Sequence, residues 1–291
     1  PSLGAQVAWG ESNAVAFCNS VLGARTNRYG DFLDIACAIS GRAPASGLHL
    51  DGNRCATRVY DLSAVPRRVQ EKDVFWPVLG AWLGRVADDA VCALTGIEVT
   101  PDEDALKSFC AAAAATGSVG LVHLVGITPE APDLKSAVGG REVPTAQPVT
   151  VDILARTEAS LSFGEDDRVD AVALGSPHFS ARECRALAQM TDGQRFRLPV
   201  YVCTGRHVLA DLEADGTHAA LEACGVRFVT DTCVVVTPIL PQGNGVLMTN
   251  SAKFAQYATP NAGYRPVFAS LQSCVASAQA GRLVRVETLT S

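Results

Sequence analysis

No apolar run in this sequence reaches the roughly 18 residues that a membrane-spanning helix requires, so no membrane-spanning helix is expected within it. Aromatic residues are scarce, at 6% of 291, and none interleaves with a basic cluster. Formal net charge is −6, from 24 Lys and Arg against 30 Asp and Glu, with no block of five or six like charges. Nucleic acids and anionic membrane surfaces select the opposite balance, so neither is expected as a partner. The ten cysteines include no C-x-x-C pair, which excludes a zinc ribbon or a thioredoxin-type motif, and no ferredoxin-like run. Neither G-x-G-x-x-G nor a Walker pattern occurs; the glycine- and proline-rich residues 41–49 match neither, and a dinucleotide site has no support. The absence of G-x-S-x-G excludes a hydrolase elbow. Among five histidines none shows metal-ligand spacing, and His207 and His218, eleven residues apart on a presumed helix, read as surface.

What is present describes a folded protein. Hydrophobic residues make up 48% and charged residues 19%, enough for one large domain or two ordinary ones with a sizeable core. The cysteines lie in apolar periodic segments rather than turn-rich loops, which reads as reduced thiols in a cytoplasmic protein. Any metal site must therefore draw on cysteines far apart in sequence. The opening Pro1 to Gln6 carries no signal-peptide pattern and starts as if mid-domain; a preceding segment or a partner chain is expected.

Three segments follow from the pattern: an α/β lobe over 1–142, incomplete at its start, a parallel βαβ lobe over 143–245, and a tail over 246–291 returning to the first lobe. In the middle segment short apolar runs at 148–152, 169–174, 198–203 and 226–229 alternate with helical stretches, the signature of a parallel sheet. Ser180 with Glu183 forms a capping box, and a helix over 208–224 stops at Gly225. In the first segment 14–22 and 32–39 are helix-compatible, Thr100 caps a helix with Pro101 at its first position, and 119–125 reads as a buried strand. The tail contains a helix near 271–280 and a last strand at 283–286. Ser176 with His178, Cys203 with Thr204, and Asp231 with Cys233 each follow a strand's carboxyl end, and right-handed crossovers bring such exits to one sheet edge.

Two polar constellations stand out. Glu11, Ser12 and Asn13, then Arg25, Thr26 and Asn27, combine amide, hydroxyl and guanidinium groups that suit a carboxylate or phosphate clamp. Helix capping by Ser12 and Asn13 with a solvated loop at 25–28 explains them equally well. Within the stretch 229–236, Cys233 sits at the exit of an apolar, β-branched run, and Asn250, Ser251 and Lys253 follow, a grouping that points to metal-assisted chemistry. A small buried hydrophobe is the alternative for Cys233.

Taken together, residues 8–15, 19–27, 175–178, 231–233 and 249–253 resemble the aconitase X family, essentially from end to end. The resemblance implies an α/β fold of aconitase-like, multi-lobed architecture with a parallel-sheet, Rossmann-like lobe. It also implies a hydro-lyase that dehydrates cis-3-hydroxy-L-proline or mevalonate 5-phosphate. Iron is implied as cofactor, as an iron–sulfur cluster (two-iron, two-sulfur favoured) or a single ion, with Cys233 as ligand. Arg25, Thr26, Asn27, Glu11, Asn13, Ser176, His178, Asn250 and Ser251 are implied to hold a small carboxylate substrate, with Ser12 and Lys253 catalytic. Iron coordinating the substrate hydroxyl makes it a workable leaving group, and an arginine clamp stabilises charge building beside the carboxylate. Family members also extend ahead of the position of Pro1 and carry a small swivelling domain, fused or separate. Some carry cysteine where this sequence has Ser176. That serine and a pI near 5.4 favour the imino acid over the phosphate. The rival class is a non-catalytic α/β binding subunit, which requires no iron and tolerates loss of Cys233.

Overall fold

Parallel sheets organise both halves of the chain. The computed structural model describes residues 1–30, 32–163, 167–234, 236–241 and 244–291, which divide into two compact units, Pro1–Leu154 and Ala155–Ser291. Val235, inside the run 229–236, lies outside the described residues.

The first unit runs α1 (Ser12–Ser20), α2 (Leu33–Ser40), two 3₁₀ turns (Gly47–His49 and Asp51–Asn53), β1 (Arg58–Asp61), α3 (Arg67–Gln70), α4 (Phe75–Ala87), β2 (Cys92–Thr95), α5 (Glu103–Thr116), β3 (Val122–Leu124), α6 (Leu134–Ala137) and β4 (Gln147–Pro148), and α7 (Val151–Ser160) crosses its boundary. Its sheet has the order β3-β2-β1-β4, wholly parallel. The alanine run of α5 has a packing reason. A Cβ added to Gly80 of α4 would stand 2.3 Å from the Phe109 carbonyl oxygen, so small residues on both helices permit the close approach. α5 begins after Asp102, whose carboxylate accepts from the Ala105 amide at 2.9 Å; the expected cap at Thr100 is displaced by this stronger acceptor. The expected strand at 119–125 shortens to β3, and 148–152 divides between β4 and α7.

The second unit contains β5 (Ala171–Phe179), α8 (Ala181–Thr191), β6 (Val200–Thr204), α9 (Arg206–Ala214), α10 (Thr217–Ala223), β7 (Val226–Thr230), β8 (Val246–Thr249), α11 (Ala252–Ala262), β9 (Arg265–Phe268) and α12 (Leu271–Ala280). Its sheet order is β7-β6-β5-β8-β9, again all parallel. Successive β5 residues feed opposite faces: Val172 and Leu174 join a core with Val200, Val202 and Met248, while Ala171 and Ala173 join another with Tyr201, Leu247 and Phe254. Burial on both faces explains why these strands read as continuous apolar runs. The capping box of Ser180 and Glu183 forms as expected. The single helix expected over 208–224 breaks in two at Gly216, whose φ of 82° ends the α-helical path. The tail 246–291, expected to return to the first lobe, instead gives β8 and β9 to this sheet, because Val246 to Thr249 pair with β9 and continue the ladder from β5. Residues 283–286 form no strand; the Val284 amide is taken by the Ser277 hydroxyl at 2.9 Å.

Candidate active site

In the first unit the polar residues gather at the N-terminus of α1 and the loop behind it. Glu11, not Ser12 or Asn13, is the cap: its carboxylate accepts from the Ala14 amide at 3.1 Å. Ser12 is thereby left exposed at the first helical position. It lines a cavity of about 190 Å³ together with Gly10, Val15, Arg28, Tyr29 and Ser118. Asn13 is half-buried beside it. The Arg25 guanidinium pairs with the exposed Asp51 carboxylate, and its Nε is buried with no hydrogen-bond partner. Asn27 accepts from the Leu48 amide at 3.4 Å.

Thr26 does not face a ligand. It is fully buried, and its hydroxyl bonds the Trp9 backbone, accepting from the amide at 3.0 Å and donating to the carbonyl at 3.2 Å. Its expected role in binding substrate is corrected to holding the segments at 9 and 26 together. Asn19 supports it, accepting from the Thr26 amide at 3.1 Å and donating to the Thr26 carbonyl at 3.1 Å.

Two residues of this network escaped the sequence reading. Arg54, 3% exposed, meets Glu130 across 76 residues and Asn19 across 35, separations that no local pattern marks. His49 is buried, with Nδ1 2.6 Å from Gln6 Oε1 and Nε2 bonded to the Tyr29 hydroxyl. Burial first, then the Arg54 and Arg25 charges, hold the His49 pKa below its usual value.

In the second unit the strand exits share one edge. Gly175 ends the regular part of β5 with φ 89°, and a Cβ there would lie 2.1 Å from the Cys203 carbonyl oxygen, so only glycine fits. Ser176 follows, buried, and its carbonyl accepts from the Ser251 hydroxyl. Ser251 also caps α11, accepting from the Phe254 amide at 3.0 Å. β5 and β8 are the strands between which the sheet order reverses, the place where open α/β sheets bind ligands. Half-buried Asn250 and Lys253 flank Ser251 there, Lys253 in the first turn of α11. On the neighbouring exit His178 Nε2 lies 3.0 Å from the Thr232 carbonyl, one residue before Cys233. Asp231 pairs with Arg206, whose backbone amide and guanidinium hold its carboxyl below the usual range.

Cys233 is half-buried, and it lies near Cys203, whose thiol burial pushes up to about 12. Among the described residues no three His, Cys, Asp or Glu side chains stand close enough to hold a metal ion. Two neighbouring thiols, one half-buried and one buried, are not a complete iron site. The described residues therefore do not by themselves fit the iron that the sequence resemblance implies.

Comparison with known proteins finds similarity along nearly the whole chain. Models of the aconitase X first, second and third domains match residues 1–52, 56–159 and 169–280 in turn. The chain belongs to the aconitase X family. This aconitase X chain is similar to the cis-3-hydroxy-L-proline dehydratase of Pseudomonas aeruginosa, 45% identical over 96% of this chain and 48% of that protein. It is similar also to the phosphomevalonate dehydratase large subunit of Methanocaldococcus jannaschii, 32% identical over 88% of this chain and 63% of that subunit. The crystal structure of Thermococcus kodakaraensis aconitase X in its holo-form superposes with a TM-score of 0.83 at 31% identity, over 96% of this chain and 69% of that one. The α/β, parallel-sheet fold expected from the sequence is thus that of aconitase X. The chain spans about half the length of the Pseudomonas relative.

Proposed function

We propose that this aconitase X chain belongs to a hydro-lyase that converts cis-3-hydroxy-L-proline to a pyrroline-2-carboxylate and water. The observation that carries this reading is identity: 45% to a cis-3-hydroxy-L-proline dehydratase over 96% of the chain, against 32% to a phosphomevalonate dehydratase large subunit. In the reaction the C2–H bond breaks and its electron pair becomes the C2=C3 bond. The C3–O bond breaks in turn; hydroxide leaves with the C3–O pair and takes up a proton, balancing the one lost from C2, to form water.

Each residue group has a task in this scheme. Arg25, with Asn27, holds the substrate carboxylate, where a guanidinium stabilises charge building at C2. Ser12 lines the 190 Å³ cavity, and its sequence neighbours Glu11 and Asn13 are assigned to the substrate beside it. In the second unit Ser176, Ser251 and Asn250 offer hydrogen bonds at the reversal of the sheet, and His178 and Lys253 supply proton-carrying groups. Were an iron centre present, as a two-iron, two-sulfur cluster or a single ion, Cys233 would offer it one thiolate, and the remaining ligands would have to come from outside the described residues. A small swivelling domain, fused or separate, completes the enzyme in this reading, which places it in the cytoplasm.

The similarity to a phosphomevalonate dehydratase large subunit favours mevalonate 5-phosphate as the second reading. The test is anaerobic preparation of the full-length protein, followed by product analysis with each substrate and iron analysis of the parent and of Cys233→Ser. Formation of pyrroline-2-carboxylate that disappears together with iron in the variant supports the reading. Iron-loaded protein that dehydrates only mevalonate 5-phosphate replaces it with the second. Protein with neither iron nor turnover leaves the binding-subunit alternative.

A further inference from the structure

Arg54 belongs to no motif, yet its guanidinium is the most heavily bonded group in the first unit's polar network. Nε lies 2.9 Å from Glu130 Oε2 and 3.1 Å from Oε1, and Nη2 lies 2.7 Å from Oε1, a two-pronged grip on one carboxylate. Nη1 donates to Asn19 Oδ1 at 2.9 Å and to the Leu48 carbonyl at 2.7 Å. Nη2 also reaches the carbonyls of Asn19 at 3.2 Å and Ala24 at 3.3 Å. All five N–H donors of the fork therefore have acceptors inside the protein. The backbone is pinned as well, since His123 Nε2 lies 2.7 Å from the Arg54 carbonyl.

Apart from Glu130, the acceptors border the Arg25–Asn27 run. Ala24 immediately precedes Arg25. Asn19 holds Thr26 through both amide and carbonyl. Leu48, whose carbonyl Arg54 binds, gives its own amide to Asn27. Arg25 itself has a weaker hold, an ion pair with an Asp51 side chain that is 82% exposed. The Arg25 backbone is paired with the Ala5 carbonyl at 2.8 Å and the Val7 amide at 2.9 Å, while the side-chain contacts that order the run come from behind it. We infer that Arg54, gripped by Glu130, is the positioning residue for the Arg25–Asn27 clamp and sets its affinity for a carboxylate. This rests on the reading of Arg25 as the carboxylate clamp. A lysine cannot substitute, because one ammonium at the end of a flexible stem cannot reach Glu130, Asn19, Leu48 and Ala24 together.

The test uses the full-length protein with Arg54→Lys, Arg25→Ala and the double variant. KM for cis-3-hydroxy-L-proline is measured, and so is the calorimetric Kd for pyrrole-2-carboxylate, a planar ring carboxylate that needs no turnover. Positioning predicts that Arg54→Lys raises both by about 10-fold or more, with any fall in kcat no larger than that of Arg25→Ala, through which the effect passes. On the Arg25→Ala background Arg54→Lys should add nothing, since its effect passes through Arg25. A purely structural role gives a lowered thermal midpoint with unchanged KM and Kd, or losses that multiply independently of Arg25, and either overturns the inference. Should Arg54→Lys fail to fold, Glu130→Gln loosens the same grip while keeping its shape, with the same predicted rise in Kd and the same overturning outcome. Absence of turnover with normal pyrrole-2-carboxylate binding overturns the proposed function alone. Parent protein that binds no pyrrole-2-carboxylate overturns the positioning role.

Discussion

Burial separates the two arginines of the first unit, and their substitutions should differ accordingly. Arg25 is 23% exposed and pairs with an exposed aspartate, while Arg54 is 3% exposed and grips Glu130. Exposed pairs contribute about 0–1 kcal/mol, so Arg25→Ala should leave the urea midpoint nearly unchanged. Breaking a buried pair strands its partner, so Arg54→Ala should cost about 3 kcal/mol in the same titration. The two buried histidines add a pH dependence. Burial is the leading cause that holds both His49 and His123 below the ordinary histidine value of 6.5. Above that value both are neutral in folded and unfolded chains alike. As pH falls below it the unfolded chain takes up protons first, so stability is lost towards acid. Urea midpoints at about pH 7.5 and about pH 5.5 should show the decrease, and His123→Gln should reduce it. From the sequence, Arg25 and Thr26 are equally visible as polar residues beside each other. Only the fold separates them, because Thr26 turns inward to the Trp9 backbone and Arg25 turns towards Asp51. Arg54 was illegible for another reason: its meaning lies in partners brought from 35 and 76 residues away.

At the scale of elements, close approach sets the strictest limits. Gly80→Ala should drive a methyl against the Phe109 carbonyl across the α4–α5 contact and cost about 1–3 kcal/mol of overpacking, read as a lower thermal midpoint. Gly175→Ala meets the Cys203 carbonyl and a φ of 89° together, so it should disturb the Ser176 exit as well as stability. Elements with local chemistry were legible in the sequence: the Ser180 and Glu183 capping box, the run that became β7, and α12 at Leu271–Ala280. Those without it were not. α4 buries residues all around its circumference, so no apolar stripe announces it, and β1 and β2 are four residues each. The strands of the second unit do end at one edge, as parallel order alone requires, but Ser176, His178, Cys203 and Thr204 lie within the last residues of β5 and β6 rather than past them.

For the whole molecule, the pattern of short apolar runs was enough to indicate parallel α/β organisation. The ownership of the tail was not, since its strands pair with β5 through contacts distant in sequence. The acidic balance of −6 in this chain gives a phosphate ester no favourable long-range field from this part of the protein. The most direct measurement is therefore a competition in one vessel. Full-length, iron-loaded protein is given equal cis-3-hydroxy-L-proline and mevalonate 5-phosphate, and both are followed over time. The account predicts that the imino acid is consumed with a kcat/KM about 100-fold or more above that for the phosphate. Preferential loss of mevalonate 5-phosphate would contradict it.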